Sequence, residues 1–105
     1  MSINVPASIG MPIEEIDTPC LLLDLDAFER NVAKMANFIK ENGVRHRGHA
    51  KCHKSADIAA YLAEKGGTCG VCCQKVSEAE AMVSGGVRDV LVSNEVTTPK
   101  KIERL

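Results

Sequence analysis

The chain has 105 residues, with 13 Lys and Arg against 14 Asp and Glu and a formal net charge of -1. That length is room for one small domain, and the near balance of charge excludes a global electrostatic grip on nucleic acid or anionic lipid. At 45% hydrophobic and 26% charged the composition is that of a folded chain, not a disordered one. No apolar run approaches the roughly 20 residues of a membrane helix. The opening MSINVPASIG lacks the basic start and apolar centre of a secretory signal, so the reading is a cytoplasmic protein. Aromatics are only 3%, with no Trp, so a core must be built from aliphatics, Met and Cys.

Residues 1–16, with Pro6, Pro12 and Gly10, read as an irregular leader. Order is expected from residue 17 to residue 105. Cys20-Leu21-Leu22-Leu23-Asp24 is a short continuous apolar run, the pattern of a strand buried on both faces. Asp26 and Glu29 have the spacing of a capping box, and Phe28, Val32, Met35, Ala36 and Ile39 follow at helical spacing up to a stop at Gly43. Residues 44–51 form a second extended candidate. Ser55 is the expected N-cap of a helix carrying Ile58, Ala59, Leu62 and Ala63, ended by Gly66-Gly67. Residues 68–75 predict a third strand, and Ser77 with Glu80 a second capping box before a helix that ends at Gly85-Gly86. Val90-Leu91-Val92-Ser93 is a fourth strand, and Thr98-Pro99 opens a fourth helix as N-cap and N1. That helix has reached only Ile102 and Leu105 when the sequence stops, which predicts an N-terminal piece of a longer design.

Strict β-α alternation implies a parallel sheet with right-handed crossovers. Two α/β architectures compete. One is an open doubly wound sheet. The other is part of a (β/α)8 barrel, of which four units are half and the whole needs ~250 residues. The five cysteines, Cys20, Cys52, Cys69, Cys72 and Cys73, are an odd number without a secretory signal and read as reduced, packed thiols. A zinc reading of Cys69-Gly70-Val71-Cys72 lacks the second pair that a structural site uses.

The densest polar cluster is His46-Arg47-Gly48-His49-Ala50-Lys51-Cys52-His53-Lys54. In an extended segment Arg47, His49, Lys51 and His53 share one face, and Gly48, Ala50 and Cys52 the other. A polar row inside a parallel sheet is costly unless it serves a site, and barrel sites are built at the C-terminal strand ends, where Lys51 lies. Cationic neighbours, here Arg47, His49 and Lys54, together with partial burial make a lysine amine nucleophilic enough for Schiff-base chemistry. By pattern alone a solvated basic loop is the simpler reading, and a histidine metal site is the weakest because only His49 and His53 share a face. Gln74 and Asn94, at the ends of the third and fourth strands, are read equally as site residues or turn residues. Ser77 is read first as a cap.

At these residues the sequence resembles the D-threonine aldolase family, with its alanine racemase-like barrel. The likeness lies in Asp17-Thr18-Pro19-Cys20-Leu21 and His49-Ala50-Lys51-Cys52-His53-Lys54-Ser55. It continues through Gly70-Val71-Cys72-Cys73-Gln74-Lys75-Val76-Ser77-Glu78-Ala79-Glu80 and Asp89-Val90-Leu91-Val92-Ser93-Asn94-Glu95. Many members have Pro where this chain has Gly48. The resemblance implies a pyridoxal 5'-phosphate (PLP) cofactor bound as a Schiff base to Lys51, with His49 and Gln74 lining its pocket. It also implies cleavage of a small D-β-hydroxy-α-amino acid, of the 3-hydroxy-D-aspartate or D-threonine type, to glycine and an aldehyde. Alternatives on the same fold are a D-serine dehydratase, an amino-acid racemase or a non-catalytic PLP-binding fragment. The family's divalent metal is expected only in a full-length relative, with no metal ligand in this chain. Half a barrel leaves strand edges and a sheet interior uncovered. The chain alone is therefore expected to fold poorly or to pair, as a homo-oligomer or with another fragment, and to have little activity.

Overall fold

The computed structural model describes residues 7–105. Residues 1–6 of the expected leader lie outside it; within the rest, Ile13–Glu15 form one 3-10 turn. The main elements are α1 (Leu25–Asn42), β1 (Gly48–His49), α2 (Ala56–Gly66), β2 (Val71–Cys73), α3 (Val76–Ser84), β3 (Val90–Val92) and α4 (Pro99–Ile102).

The strands are parallel and lie in chain order, β1-β2-β3. Gly48 pairs with Val71 and His49 with Cys72; Val71, Cys72 and Cys73 pair with Val90, Leu91 and Val92. Backbone bonds extend the ladder at both ends, from Cys69 N to His46 O at 2.9 Å and from Ala50 N to Cys72 O at 2.7 Å. Parallel strands side by side in sequence order require a helix between each pair, and α2 and α3 supply them.

Both helices cover the same face. The core is Ala50, Val71 and Cys73 from the sheet against Ala59 of α2 and Ala79 and Met82 of α3, with Val87, Val90 and Val92 packed around it. Because side chains alternate along a strand, His49, Cys72 and Leu91 form the matching row on the opposite face, which no helix of the described residues covers. One-sided coverage and sequential order decide between the two architectures: this is an arc of barrel type, not a doubly wound sheet. The molecule is accordingly a slab, 44 × 43 × 19 Å, with a radius of gyration of 16.1 Å. A compact domain of this length has about 13 Å.

Several local expectations need correction. Residues 20–24 have no regular secondary structure and pair with no strand among the described residues, and Leu21, Leu22 and Leu23 are exposed. Apolar composition suits a buried strand, but a strand exists only where a neighbour takes its backbone bonds. The acid closing that run, Asp24, is the α1 N-cap, accepting from Ala27 N at 2.9 Å. The expected box at Asp26 and Glu29 therefore lies within the helix. Ser77 likewise sits inside α3. The side chain that reaches back is Glu78, whose Oε2 accepts from Gln74 N at 2.9 Å and Lys75 N at 3.3 Å, not Glu80, which pairs with Arg104.

The remaining stops behave as read. Gly43 and Gly67 both take the left-handed conformation that ends a helix, at φ 62 and 65°. Ser55 Oγ accepts from Ile58 N at 3.2 Å. Pro99 opens α4 at N1 after Thr98. Of the cysteines only Cys73 is fully buried; Cys52 is exposed and Cys20, Cys69 and Cys72 are half-buried, all of them free thiols.

Candidate functional site

Lys51 lies two residues beyond β1, after Ala50, at the C-terminal end of the sheet. The alternation expected through residue 53 stops at Ala50. That residue turns inward and is 1% exposed, and its carbonyl accepts from Lys54 N at 2.8 Å. The bond closes a five-residue turn, so Lys51, Cys52 and His53 leave the strand row. Cys52 consequently points to solvent and not under the helices. Lys51 is exposed, and its Nζ makes no hydrogen bond or ion pair among the described residues.

Two of the segment's three histidines, His49 and His53, accept from backbone donors. Lys51 N donates to His49 Nδ1 at 3.3 Å, and Ser55 N donates to His53 Nδ1 at 3.1 Å. A ring nitrogen that accepts carries no proton, so each neutral ring presents its N–H at Nε2. His53 is half-buried, and burial lowers its pKa below the usual 6.5.

The supposed cationic neighbours of Lys51 are engaged elsewhere. Arg47 lies at the opposite, N-terminal end of the sheet. Its Nη1 donates to Asp89 Oδ1 at 2.7 Å and reaches the carbonyls of Asp89 and Val71 at 3.3 and 3.4 Å. The guanidinium holds the Asp89 carboxyl below its usual range. Lys54 pairs with Glu78 at 2.5 Å. Only His49 stays beside Lys51. The three-cation argument for an activated amine therefore fails as geometry, although the position of Lys51 stands.

Glu78 is the functional-region residue that the sequence reading missed. Its Oε1 takes the Lys54 ammonium while Oε2 takes the Gln74 and Lys75 amides, and the Lys54 bond first, then those amides, bring its pKa down to about 2. A helix-opening acid one residue after Ser77 was its available signal, masked by a lysine at the cap position, a poor cap by type. Gln74 is exposed at the end of β2. It shares a cleft of about 330 Å³ with Ser77, Asn94, Lys101 and Arg104. The strand-end residues singled out by type are thus brought together between the β2–α3 and β3–α4 connections, while His49 and Lys51 lie one strand away. On the helix-free face Cys72 Sγ and Ser93 Oγ are 3.0 Å apart.

The geometry is that of one arc of a β/α barrel. Sequential parallel strands are covered on one face, and a free lysine and polar side chains gather at their C-terminal ends. The chain belongs to the family of the alanine racemase N-terminal domain, which matches residues 23–105. It is 58% identical over 102 residues to the 3-hydroxy-D-aspartate aldolase of Paracoccus denitrificans, covering 97% of this chain and 26% of that protein. It is 44% identical to the D-threonine aldolase of an Arthrobacter species, over 95% of this chain and 26% of that protein. Among solved structures it is similar to the D-threonine aldolase of Filomicrobium marinum, with a TM-score of 0.89 and 52% identity over 97% of this chain and 27% of that one. The chain spans about a quarter of the length of these relatives.

Proposed function

We propose that residues 17–105 are the lysine-bearing N-terminal portion of a PLP-dependent carbon–carbon lyase that cleaves D-β-hydroxy-α-amino acids to glycine and an aldehyde. The observation that carries this is Lys51: an exposed amine without an ion pair among the described residues, two residues beyond the first strand of a one-sided parallel arc, in a chain 58% identical to an aldolase. An amine with no competing partner, at the end of the sheet where barrels place their chemistry, fits a carbonyl cofactor.

Lys51 would hold PLP through Nζ. When bound, the cofactor supplies an electron sink for the pair released as the Cα–Cβ bond breaks. The Ala50 carbonyl and the buried Ala50 methyl anchor the turn from which Lys51 projects. His49 would contribute an Nε2–H donor on the helix-free face, and Gln74 an amide at the end of the adjacent strand, to orient cofactor or substrate. A variant of the Delftia D-threo-3-hydroxyaspartate dehydratase was solved in a metal-free form. The described residues here form no group of three or more His, Cys, Asp or Glu able to hold a metal, so a divalent ion would draw its ligands from elsewhere in a whole protein.

No helix of the described residues is long and apolar enough to cross a membrane. The balanced charge fits a small-molecule enzyme, which we read as cytoplasmic and without nucleic-acid or membrane partners. The uncovered sheet face would be closed by the rest of a barrel or by a second copy. A second reading has its own support: the Delftia dehydratase itself is 37% identical over 72% of this chain. A dehydratase gives keto acid and ammonia in place of glycine and aldehyde.

Borohydride reduction after incubation with PLP tests the assignment. The expected result is a reduced cofactor on the peptide containing Lys51, with glycine and aldehyde as products of turnover. Label on another lysine overturns the Lys51 assignment; keto acid and ammonia overturn the aldolase in favour of the dehydratase.

A further inference from the structure

The turn that carries Lys51 is closed twice by one residue. The backbone N–H of Lys54 closes it onto Ala50 O at 2.8 Å, and the Lys54 side chain leaves it to meet Glu78 Oε1 at 2.5 Å. Lys54 also has φ 52°, the only positive φ at a residue other than glycine among the described residues. Such a conformation is disfavoured for a residue with a Cβ and persists where its surroundings impose it. The imposed contact is visible. Glu78 is 11% exposed at its side chain, and its second oxygen is occupied by the amides of Gln74 and Lys75. One carboxylate therefore fixes two separate connections to each other, the β1–α2 turn with Lys51 and the β2–α3 corner with Gln74.

We infer that Glu78, acting through Lys54, is a positioning residue that sets the direction of Lys51 relative to the Gln74 end of β2. It touches neither cofactor nor substrate. Its function is to hold the left-handed Lys54 backbone, and with it the turn, in the one geometry that presents Lys51 Nζ to an incoming carbonyl. This rests on the reading of Lys51 as the cofactor lysine, and it extends that reading to a residue 27 positions away in sequence.

The test compares wild type, Glu78→Gln and Lys54→Ala by two readouts. The first is amide exchange at Lys54 and Ser55 in the cofactor-free protein. The second is the rate at which PLP becomes borohydride-trappable at Lys51. Both variants are expected to speed exchange in the turn while leaving exchange at Val71 and Cys73 unchanged, and to slow trapping by about tenfold or more, as a displaced reacting group does. The double variant is expected to be no slower than either single one, because both remove one contact. Wild-type trapping rates and unchanged turn exchange in both variants overturn the inference. So does equal acceleration of exchange at Val71 and Cys73, which marks general loosening of the fold. If Glu78→Gln does not fold, Lys54→Ala decides, since its side chain is mostly exposed. If wild-type Lys51 takes no label, the functional reading falls, and the turn exchange alone decides whether Glu78 holds the loop.

Discussion

The two ends of the sheet use the same basic sequence run in opposite ways. At the N-terminal end Arg47 is spent on structure: its guanidinium crosses Gly70 to bind Asp89 and tie the three strands together. At the C-terminal end, four residues on, the Lys51 side chain has no hydrogen-bond or ion-pair partner among the described residues, while the neighbouring Lys54 and Glu78 engage each other. Charge density along a sequence therefore says little about which cation is free. Partners drawn from distant strands decide it, and here they silence the two outer cations and leave one exposed.

Predictions that probe this contrast run from large to small. Lys51→Ala is expected to abolish cofactor capture and any turnover, while changing stability by no more than about 0.5 kcal/mol, as for an exposed side chain without contacts. Trapping and a denaturant melt on the same sample separate the two effects. A melt midpoint that falls with the activity would make Lys51 a structural residue and erase the contrast.

Gly70→Ala attacks the other end. Gly70 has φ 138°, and an added Cβ would meet Asp89 O and sit 2.5 Å from Arg47 Nη1. The expected loss is about 2–4 kcal/mol, from strained backbone and a displaced ion pair together. Chemical denaturation measures it, and a change below about 0.5 kcal/mol would show that the Arg47 crossing is dispensable.

Ser55→Ala removes the α2 cap just after the Lys51 turn and is expected to cost about 1 kcal/mol, again by denaturant melt. A smaller, pH-dependent signal comes from Glu78. Its folded pKa of about 2 lies below the 4.5 of a free glutamate. The unfolded chain therefore takes up the proton first. The stabilisation is complete above about 4.5 and lost as pH falls from there through about 2. The stability gap between wild type and Glu78→Gln is expected to shrink over that window, and a gap constant with pH would mean that the carboxylate charge contributes nothing.

How much of this was legible in the sequence varied by element. Helix stops at Gly43 and Gly67 and the Ser55 cap were readable because they depend on one residue's backbone freedom or one hydroxyl. Lys51 was readable as a position, from β-α alternation and from the family resemblance. The cationic surroundings expected around it are not there, since Arg47 and Lys54 find partners 42 and 24 residues away. Local pattern also misplaced residues 20–24, whose leucines promise a strand but whose backbone has no neighbour to pair with. The Glu78 bridge was invisible for the same reason: its three donors belong to two connections that meet only once the strands are side by side.

The long first helix carries a last consequence. α1 spans 18 residues, yet Val32 is its only buried side chain, seated against Gly66 of α2, with Phe28 stacked at 5.2 Å on Tyr61 beside it. Its caps are sound, so it is a well-formed helix on a narrow seam. With one buried residue against two in α2 and three in α3, α1 is expected to open at lower cost than those helices, before the sheet and the Lys51 turn lose protection. The lysine-bearing part is then expected to keep its amide protection while the helix that precedes it opens.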